Sequence, residues 1–203
     1  MDEALAQDFL EFWFSATELD APKIDSRMER WFGSDPALDD DIRDRFGDLV
    51  ERASRGELNH WAAEAETRLA LIIVLDQFTR NIHRGSAEAF ANDPVALKLC
   101  VDGAGNDMYR ALTPIQQVFF FMPLQHAEAL DVQNRSVQIF QALAESVGDT
   151  LRETFETFAH FAELHRDIVE SYGRFPHRNR LLNRENTPEE DAFLESGGPS
   201  FGQ

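Results

Sequence analysis

Three short segments contain most of the residues that could bind an anion or transfer a proton. They are residues 76–85, 123–128 and 163–179, and arginine and histidine are concentrated in the first and third of them. A solvated helix face more usually carries lysine and glutamate. Arginine suits bidentate recognition of an anion, and histidine changes its charge near neutral pH. We therefore treat these segments as candidates for a binding or catalytic site.

The first segment, residues 76–85, follows the most apolar stretch of the chain. Cations at the C-terminal end of a helix complement its dipole, which gives Arg80 and Arg84 a purely structural interpretation. Asp76 and Arg80 also have the i,i+4 spacing of an ordinary helical ion pair. The segment therefore suits either a structural role or a binding role.

The other two segments contain histidines beside carboxylates. His126 and Glu128 are two residues apart, so on a regular helix they would diverge by about 200° and could share a site only if the chain turns there. In the third segment, the turn that begins at Gly173 separates His165 from His177 and is rich in arginine. This composition favours anion binding or proton transfer.

Apolar residues recur at helical spacing along almost the whole chain, and no stretch shows the sustained alternation of a strand. The pattern predicts an all-α fold of about nine helices, packed as antiparallel pairs in a tetratricopeptide-like α-solenoid or an irregular bundle. No linker is long enough to divide the chain. Residues 1–203 are therefore predicted to form one domain, with a C-terminal tail from about residue 196.

Local signals predict where several helices begin. A cap residue followed by proline opens one helix at Pro36 and another at Pro114, and a capping box at Thr187 opens the last short helix. An apolar run predicts a long buried helix from Thr67 to Ile82. Pro123 is expected to interrupt or kink the helix that begins at Pro114.

Four residues allow the assignment of the core to be checked. Trp13, Trp31 and Phe46 each lie in an apolar stripe flanked by acidic residues, so we predict that all three are buried. The single cysteine, Cys100, lies among apolar residues and is interpreted as a small buried side chain rather than a reactive thiol.

The chain has 203 residues and a formal net charge of −18, although residues 166–184 contain five arginines against two carboxylates. This net charge disfavours nucleic acid and anionic membrane as partners, since both are bound through Lys and Arg. The acidic first residues are unlike a signal peptide. The longest apolar runs have seven residues, against the roughly 20 that a membrane helix needs. We expect a soluble cytoplasmic protein.

Other chemistries have weak support in the sequence. His160 and His165 are five residues apart, off the i,i+4 spacing of a helical metal site, and no His-Glu-x-x-His motif occurs. A metal site that combines His126, Glu128 and His165 across helices stays an alternative. No Gly-rich phosphate loop, Gly-x-Ser-x-Gly elbow or Cys-x-x-Cys motif is present. The sequence therefore specifies no cofactor and no resident metal.

With these motifs in view, the chain resembles the bacterial family designated domain of unknown function 924 over essentially its whole length. The stretches that carry the resemblance are Phe12-Trp13-Phe14, Trp31-Phe32, Leu69 through Asp76-Gln77-Phe78 to Arg80-Asn81, His126 with Glu128, His165-Arg166-Asp167, and Gly173-Arg174-Phe175-Pro176-His177-Arg178-Asn179. The resemblance implies a tetratricopeptide-like helical fold, for which no 34-residue period is detectable in the sequence. It implies no activity.

Our leading hypothesis is that the three segments converge on one pocket that binds a small anionic molecule. Its ligand-binding residues would be Arg80, Asn81, Arg84, Arg174, Arg178 and Asn179. Its acid/base groups would be His126, His165 and His177, oriented by Glu128 and Asp167. The sequence does not decide whether the bound molecule reacts. The rival hypothesis is a module that holds a protein or peptide partner on a concave helical surface.

Overall fold

Helices form every regular element of the computed structural model, which describes residues 2–15 and 20–202. The two ends of the predicted domain, Met1 and Gln203, lie outside the described residues. No strand occurs within those described ranges, and the all-α prediction with about nine helices is confirmed. The helices are α1 (Asp2–Phe14), α2 (Ala21–Phe32), α3 (Pro36–Ser54), α4 (Ala65–Ile73, continued by the π-helical turn Val74–Phe78 and by Thr79–Ile82), α5 (Asp93–Gly105), α6 (Pro114–Gln125), α7 (Leu130–Ser146), α8 (Asp149–Tyr172) and α9 (Pro188–Glu195).

Side-chain caps begin several helices where the sequence predicts them. The Asp35 carboxylate accepts a hydrogen bond from the backbone N–H of Ala37 at 2.9 Å, at the start of α3. Capping boxes open α6 at Thr113 and α9 at Thr187. These side chains satisfy N–H groups that have no partner inside the helix, which fixes the start of each helix.

The core is built from aromatic side chains, as the sequence predicts. Trp13, Trp31 and Phe46 are 0%, 4% and 7% exposed, which confirms their predicted burial, and Cys100 is buried as well. The indole N–H of Trp31 donates to the carbonyl oxygen of Trp13 at 3.1 Å, so this buried polar group is satisfied. The ring of Phe78 also packs against Trp13, with 5.2 Å between the centroids.

Helix α4 lies at the centre and contacts α1, α3, α5 and α6. Its predicted burial is confirmed, but the regular helix expected from Thr67 to Ile82 contains a π-helical turn at Val74–Phe78, where the N–H of Thr79 donates to the carbonyl of Val74 five residues earlier. Apolar residues cover every face of this helix. The sequence therefore has no polar face from which a change of helical register could be predicted. Helices grouped around a buried one form an irregular bundle, and a tetratricopeptide-like solenoid is not confirmed.

Helix α6 runs through Pro123, so it is not interrupted at the proline itself, and it ends two residues later at Gln125. Pro123 lies in the last turn, where a missing N–H removes only one hydrogen bond near the helix end. The amide of the buried Gln133 then donates to the carbonyls of Gln125 and Ala127, at 2.7 and 2.8 Å. The chain therefore turns directly after α6, which leaves His126 at the helix end.

The described helices include none with the length and hydropathy of a membrane-spanning segment.

Candidate functional site

A cavity of about 190 Å³ lies between the π-helical turn of α4, the ends of α2 and α6, the middle of α8 and the short 3-10 helix Pro176–Arg178. One part of its wall is apolar and mostly aromatic, and consists of Trp31, Phe32, Met122, Phe158, Phe161, Phe175 and Phe201. The other part is polar, and consists of Gln77, Arg80, Asn81, Arg84, Gln125, His126, His165, His177 and Arg178. Residues from all three candidate segments therefore meet at one cavity.

A buried ion-pair cluster around Asp76 forms the floor of the polar wall. The Asp76 carboxylate is 1% exposed and lies 2.7 Å from Nδ1 of His126 and 3.2 Å from a guanidinium nitrogen of Arg80. The side-chain amide of Gln77 also donates to it. Burial alone would raise the pKa of Asp76, but the charge that His126 carries when it is protonated at low pH, the charge of Arg80 and these hydrogen bonds outweigh burial and lower it. Asp76 is therefore a carboxylate at neutral pH.

Contact with an ionised Asp76 determines the tautomer of His126. A carboxylate can only accept hydrogen bonds, so Nδ1 of His126 carries the proton and Nε2 keeps its lone pair. Burial and the charge of Arg80 lower the pKa of His126, and Asp76 offsets only part of that effect. The ring is thus neutral, with Nε2 as an unprotonated acceptor.

His165 and His177 are also neutral. Nδ1 of His165 donates to the carbonyl of Phe161 at 2.7 Å, which leaves its Nε2 as an acceptor. Burial, followed by the charge of His126, lowers the pKa of His165 to about 3; burial and the charge of Arg178 lower that of His177 to about 3. The buried Nδ1 of His177 has no hydrogen-bond partner among the residues that the structure describes. The rings of His126 and His165 are 6.0 Å apart.

Two buried arginines lie beside these histidines and share one carboxylate. Asp93 is 2.9 Å from Arg80 and 3.2 Å from Arg178. The guanidinium of Arg178 lies between the rings of Phe90 and Phe175, 4.6 and 4.5 Å from their centroids, a cation–π arrangement. Burial and the charge of Arg80 lower the pKa of Arg178 to about 10, so it remains a cation at neutral pH. Its buried Nε has no partner within the described part of the chain.

Arg84 and Asn81 converge on Asp39, a residue that the sequence analysis missed. Nε and a terminal nitrogen of Arg84 are 2.7 and 3.0 Å from the two Asp39 oxygens, and the amide of Asn81 donates to Asp39 at 2.7 Å. Asp39 precedes Ile42 by three residues and Phe46 by seven, which places it on the apolar face of α3. This position on the apolar face of α3 could have predicted from the sequence that Asp39 is buried.

The formal charges of the cavity cancel. Three arginines line it, namely Arg80, Arg84 and Arg178, and they are paired with three carboxylates, namely Asp39, Asp76 and Asp93. The three histidines add no charge while they are neutral. A ligand with a full negative charge would therefore leave the cavity one charge out of balance unless a proton enters with it.

The C-terminal tail contributes Phe201 and Gly202 to the lining of the cavity. The described residues from Gly197 onward form turns and a loop, as the sequence predicts, but they fold back over the site. The ring of Phe201 stacks on His165 with 3.6 Å between centroids and 18° between planes. A terminal nitrogen of Arg84 donates to the carbonyl of Gly202. Arg84 and Gly202 are 118 positions apart in the sequence, so no local pattern could predict their contact.

The family model described as a bacterial protein of unknown function, DUF924, matches residues 9–198. The chain belongs to this family. A solved structure of a protein of unknown function from Agrobacterium tumefaciens is similar to this DUF924 chain, with 39% sequence identity and a TM-score of 0.81, and the match covers 97% of this chain and 100% of that one. No curated protein matches. None of these descriptions specifies an activity, so the functional argument rests on the site itself.

Two expected ligand-binding residues of the DUF924 chain lie outside the cavity. Arg174 forms a bidentate ion pair with Glu190, at 2.7 and 2.8 Å, and also donates to the carbonyl of Glu185. The amide of the buried Asn179 donates to Asn186 and to Glu190. These contacts tie the segment after α8 to α9. Arg174 was expected to bind an anion, but its partner is the Glu190 carboxylate.

The two carboxylates expected to orient histidines have other partners. Glu128 lies 2.6 Å from Arg184 and accepts the N–H of Phe175 at 2.8 Å, so it fixes the wall of the cavity and does not orient a ring. Asp167 pairs with its neighbour Arg166 at the surface. It lies two residues after His165 on α8, which turns it to the opposite face of the helix.

The alternative metal site does not assemble. Because Glu128 faces Arg184, the combination with His126 and His165 is not formed, and no group of three potential ligands suited to a metal occurs in residues 2–15 and 20–202. His126 is instead oriented by Asp76, which the sequence analysis treated only as the partner of Arg80.

Proposed function

We propose that the cavity binds a small anionic molecule and that His126 exchanges a proton with it. The observation that carries the proposal is the buried Asp76–His126 pair, which leaves Nε2 of a neutral imidazole available at a cavity that two buried arginines also line. Such a combination of oriented histidine, cations and enclosed volume is typical of ligand sites.

Unsatisfied donors support an anionic group as the part that is recognised. The Nε of Arg178 is buried and has no partner among the described residues, although a buried N–H of this kind normally has one. An anionic oxygen would satisfy it through a charge-assisted hydrogen bond. His126 then carries the compensating proton, because no described group occupies its Nε2.

The residues at the cavity favour proton transfer over covalent catalysis. The described lining residues include no serine, threonine, cysteine, lysine or tyrosine, the usual nucleophiles. Once Nε2 has taken up the proton that compensates the anion, His126 can return that proton to the ligand as a general acid, while Asp76 orients the ring and stabilises the imidazolium. If the ligand reacts, we propose that the reaction is acid/base chemistry on a bound acid.

The volume of the cavity favours a small molecule over a protein or peptide partner as the ligand. About 190 Å³ is slightly more than the roughly 150 Å³ that holds a benzene molecule, and it is far smaller than an extended peptide groove. A more open cavity of about 640 Å³ lies beside Ala6, Trp61 and Thr67, and its described lining contains no arginine. We therefore carry the small-molecule function forward.

The test is ligand-dependent thermal stability. Acetate, succinate and inorganic phosphate are titrated separately, and an anion that binds raises Tm in proportion to the logarithm of its concentration above Kd. We expect His126→Gln and Arg178→Gln to reduce or abolish the shift, and Arg166→Gln, a change to an exposed ion pair outside the cavity, to retain it.

Two outcomes would contradict the proposal. One is that no anion in the panel changes Tm at any concentration up to the point where salt alone has an effect. The other is a shift of equal size in all three variants, because that would locate the bound anion elsewhere on the protein.

A further inference from the structure

The segment Phe201–Gly202 lines the cavity and contacts both its aromatic and its charged residues. Phe201 supplies a planar ring, which stacks on His165 at 3.6 Å and meets the edge of Phe175 at 6.5 Å. Gly202 supplies an oxygen, which accepts a hydrogen bond from Arg84. The chain thus presents an aromatic ring and an acceptor oxygen to the cavity, joined by a short flexible linker.

The backbone of this segment is held in a disfavoured conformation. Phe201 has φ of 53°, in the left-handed region that non-glycine residues rarely adopt. Gly202 has φ of 77°, and a Cβ at that position would lie 3.1 Å from the backbone oxygen of Phe32. Contacts with the cavity wall must compensate for this conformation, so the segment is an occupant that another molecule can displace.

A free ligand can present the same two groups with a charged oxygen in place of the neutral one. A carboxylate at the position of the Gly202 carbonyl would replace a neutral acceptor with a charged one, and hydrogen bonds between charged groups are shorter and stronger. A free molecule would also avoid the strained backbone. His165 and Phe175 would still pack against its ring.

From these contacts we propose that the cavity binds an aromatic carboxylate, in which a short linker joins a planar ring to the carboxylate, and that this ligand displaces Phe201 and Gly202. The ring takes the place of the Phe201 side chain on His165, and the carboxylate faces Arg84. This proposal rests on the proposed function, since it specifies which anion the cavity takes.

The atoms of the tail define the probe. N-(3-phenylpropanoyl)glycine reproduces the ring, linker and terminal carboxyl position of a Phe-Gly segment. Two matched compounds isolate its parts: N-(3-cyclohexylpropanoyl)glycine replaces the planar ring with a puckered one, and N-(3-phenylpropanoyl)glycinamide removes the negative charge. Titration calorimetry gives Kd, and the fluorescence of Trp31, which lines the cavity, reports occupancy.

We expect the phenyl acid to bind at least tenfold more tightly than either matched compound. We also expect Phe201→Ala to strengthen its binding by roughly tenfold, because a tail that occupies the cavity for nine-tenths of the time reduces the apparent affinity by that factor. The matched control is Ser200→Ala, a change to a half-buried tail residue that does not line the cavity, and it should leave Kd unchanged.

The possible failures are distinguishable. Equal affinity for the phenyl and cyclohexyl acids, or an unchanged Kd in Phe201→Ala, would overturn the aromatic carboxylate while acetate, succinate or phosphate binding still supported the proposed function. If no anion binds even to Phe201→Ala, the proposed function fails as well.

Discussion

Proton uptake on ligand binding is the sharpest consequence of the charge balance in the cavity. Arg80, Arg84 and Arg178 are paired with three carboxylates, and the pKa of His126 is lowered by burial and by the charge of Arg80. The unliganded His126 is therefore neutral at pH 7. A bound anion opposes the charge of Arg80 and raises that pKa, so the complex binds a proton that the free protein does not.

The magnitude follows from linkage. Between the pKa of His126 in the free protein and its pKa in the complex, one proton is taken up per ligand, and Kd rises about tenfold for each unit of pH, or about 1.4 kcal/mol. The sign is fixed by the direction of the shift: because the complex binds the extra proton, affinity is greatest at low pH and is lost as pH rises. Above the pKa that His126 has in the complex, Kd no longer changes with pH and binding is weak.

Calorimetry in buffers of different ionisation enthalpy measures this uptake directly. At pH 7.5, the slope of the observed binding enthalpy against the buffer enthalpy should correspond to nearly one proton for the wild-type protein and to nearly zero for His126→Gln. His160→Gln, a change to an exposed histidine outside the cavity, is the control and should behave as wild type. An anion that binds with no proton uptake by the wild-type protein would refute this account of the charge balance.

Three further predictions concern stability. Arg174→Gln should lower the free energy of unfolding by about 2–3 kcal/mol without ligand, since it leaves the buried carboxylate of Glu190 without its bidentate partner, and chemical denaturation should show this loss while the Kd for anions is unchanged. Gln133→Leu should cost about 2–4 kcal/mol by the same assay, because it leaves two carbonyls at the end of α6 without a donor. The pKa values of His165 and His177 are both lowered to about 3, so the unfolded chain binds more protons than the folded protein below pH 6.5. The free energy of unfolding should therefore fall by about 2 kcal/mol per histidine between pH 7.5 and pH 5. A free energy of unfolding that does not change with pH would contradict their burial as neutral rings.

The parts of the fold that local chemistry determines could be predicted from the sequence. Pro36, Thr113 and Thr187 signal helix starts because a cap acts within three or four residues of itself. The π-helical turn Val74–Phe78 could not be predicted, because a helix that is buried on all sides presents no polar face to reveal a change of register. Yet that turn contains Asp76 and Gln77, and π-helical turns occur frequently at functional sites.

The site was predictable as a set of segments but not as a set of partners. The concentration of arginine and histidine in three segments predicts that Arg80, His126 and His165 share a site, and all three line one cavity although His165 lies within α8 rather than at its end. The pairing of Arg174 with Glu190 depends on how α9 packs, which no spacing reveals. The orientation of Asp167 could have been predicted from the sequence, since helical geometry alone places its side chain away from His165.

The most direct test of the central claim is the protonation state of His126 with and without ligand, measured by ¹⁵N NMR of histidine side chains at pH 7.5. In the free protein, we predict a neutral ring with the proton on Nδ1, toward Asp76, and an unprotonated Nε2. On saturation with the tightest-binding anion of the panel, Nε2 should take up a proton and the ring should become an imidazolium. A His126 signal that stays that of a neutral ring while the anion saturates the protein would contradict the account.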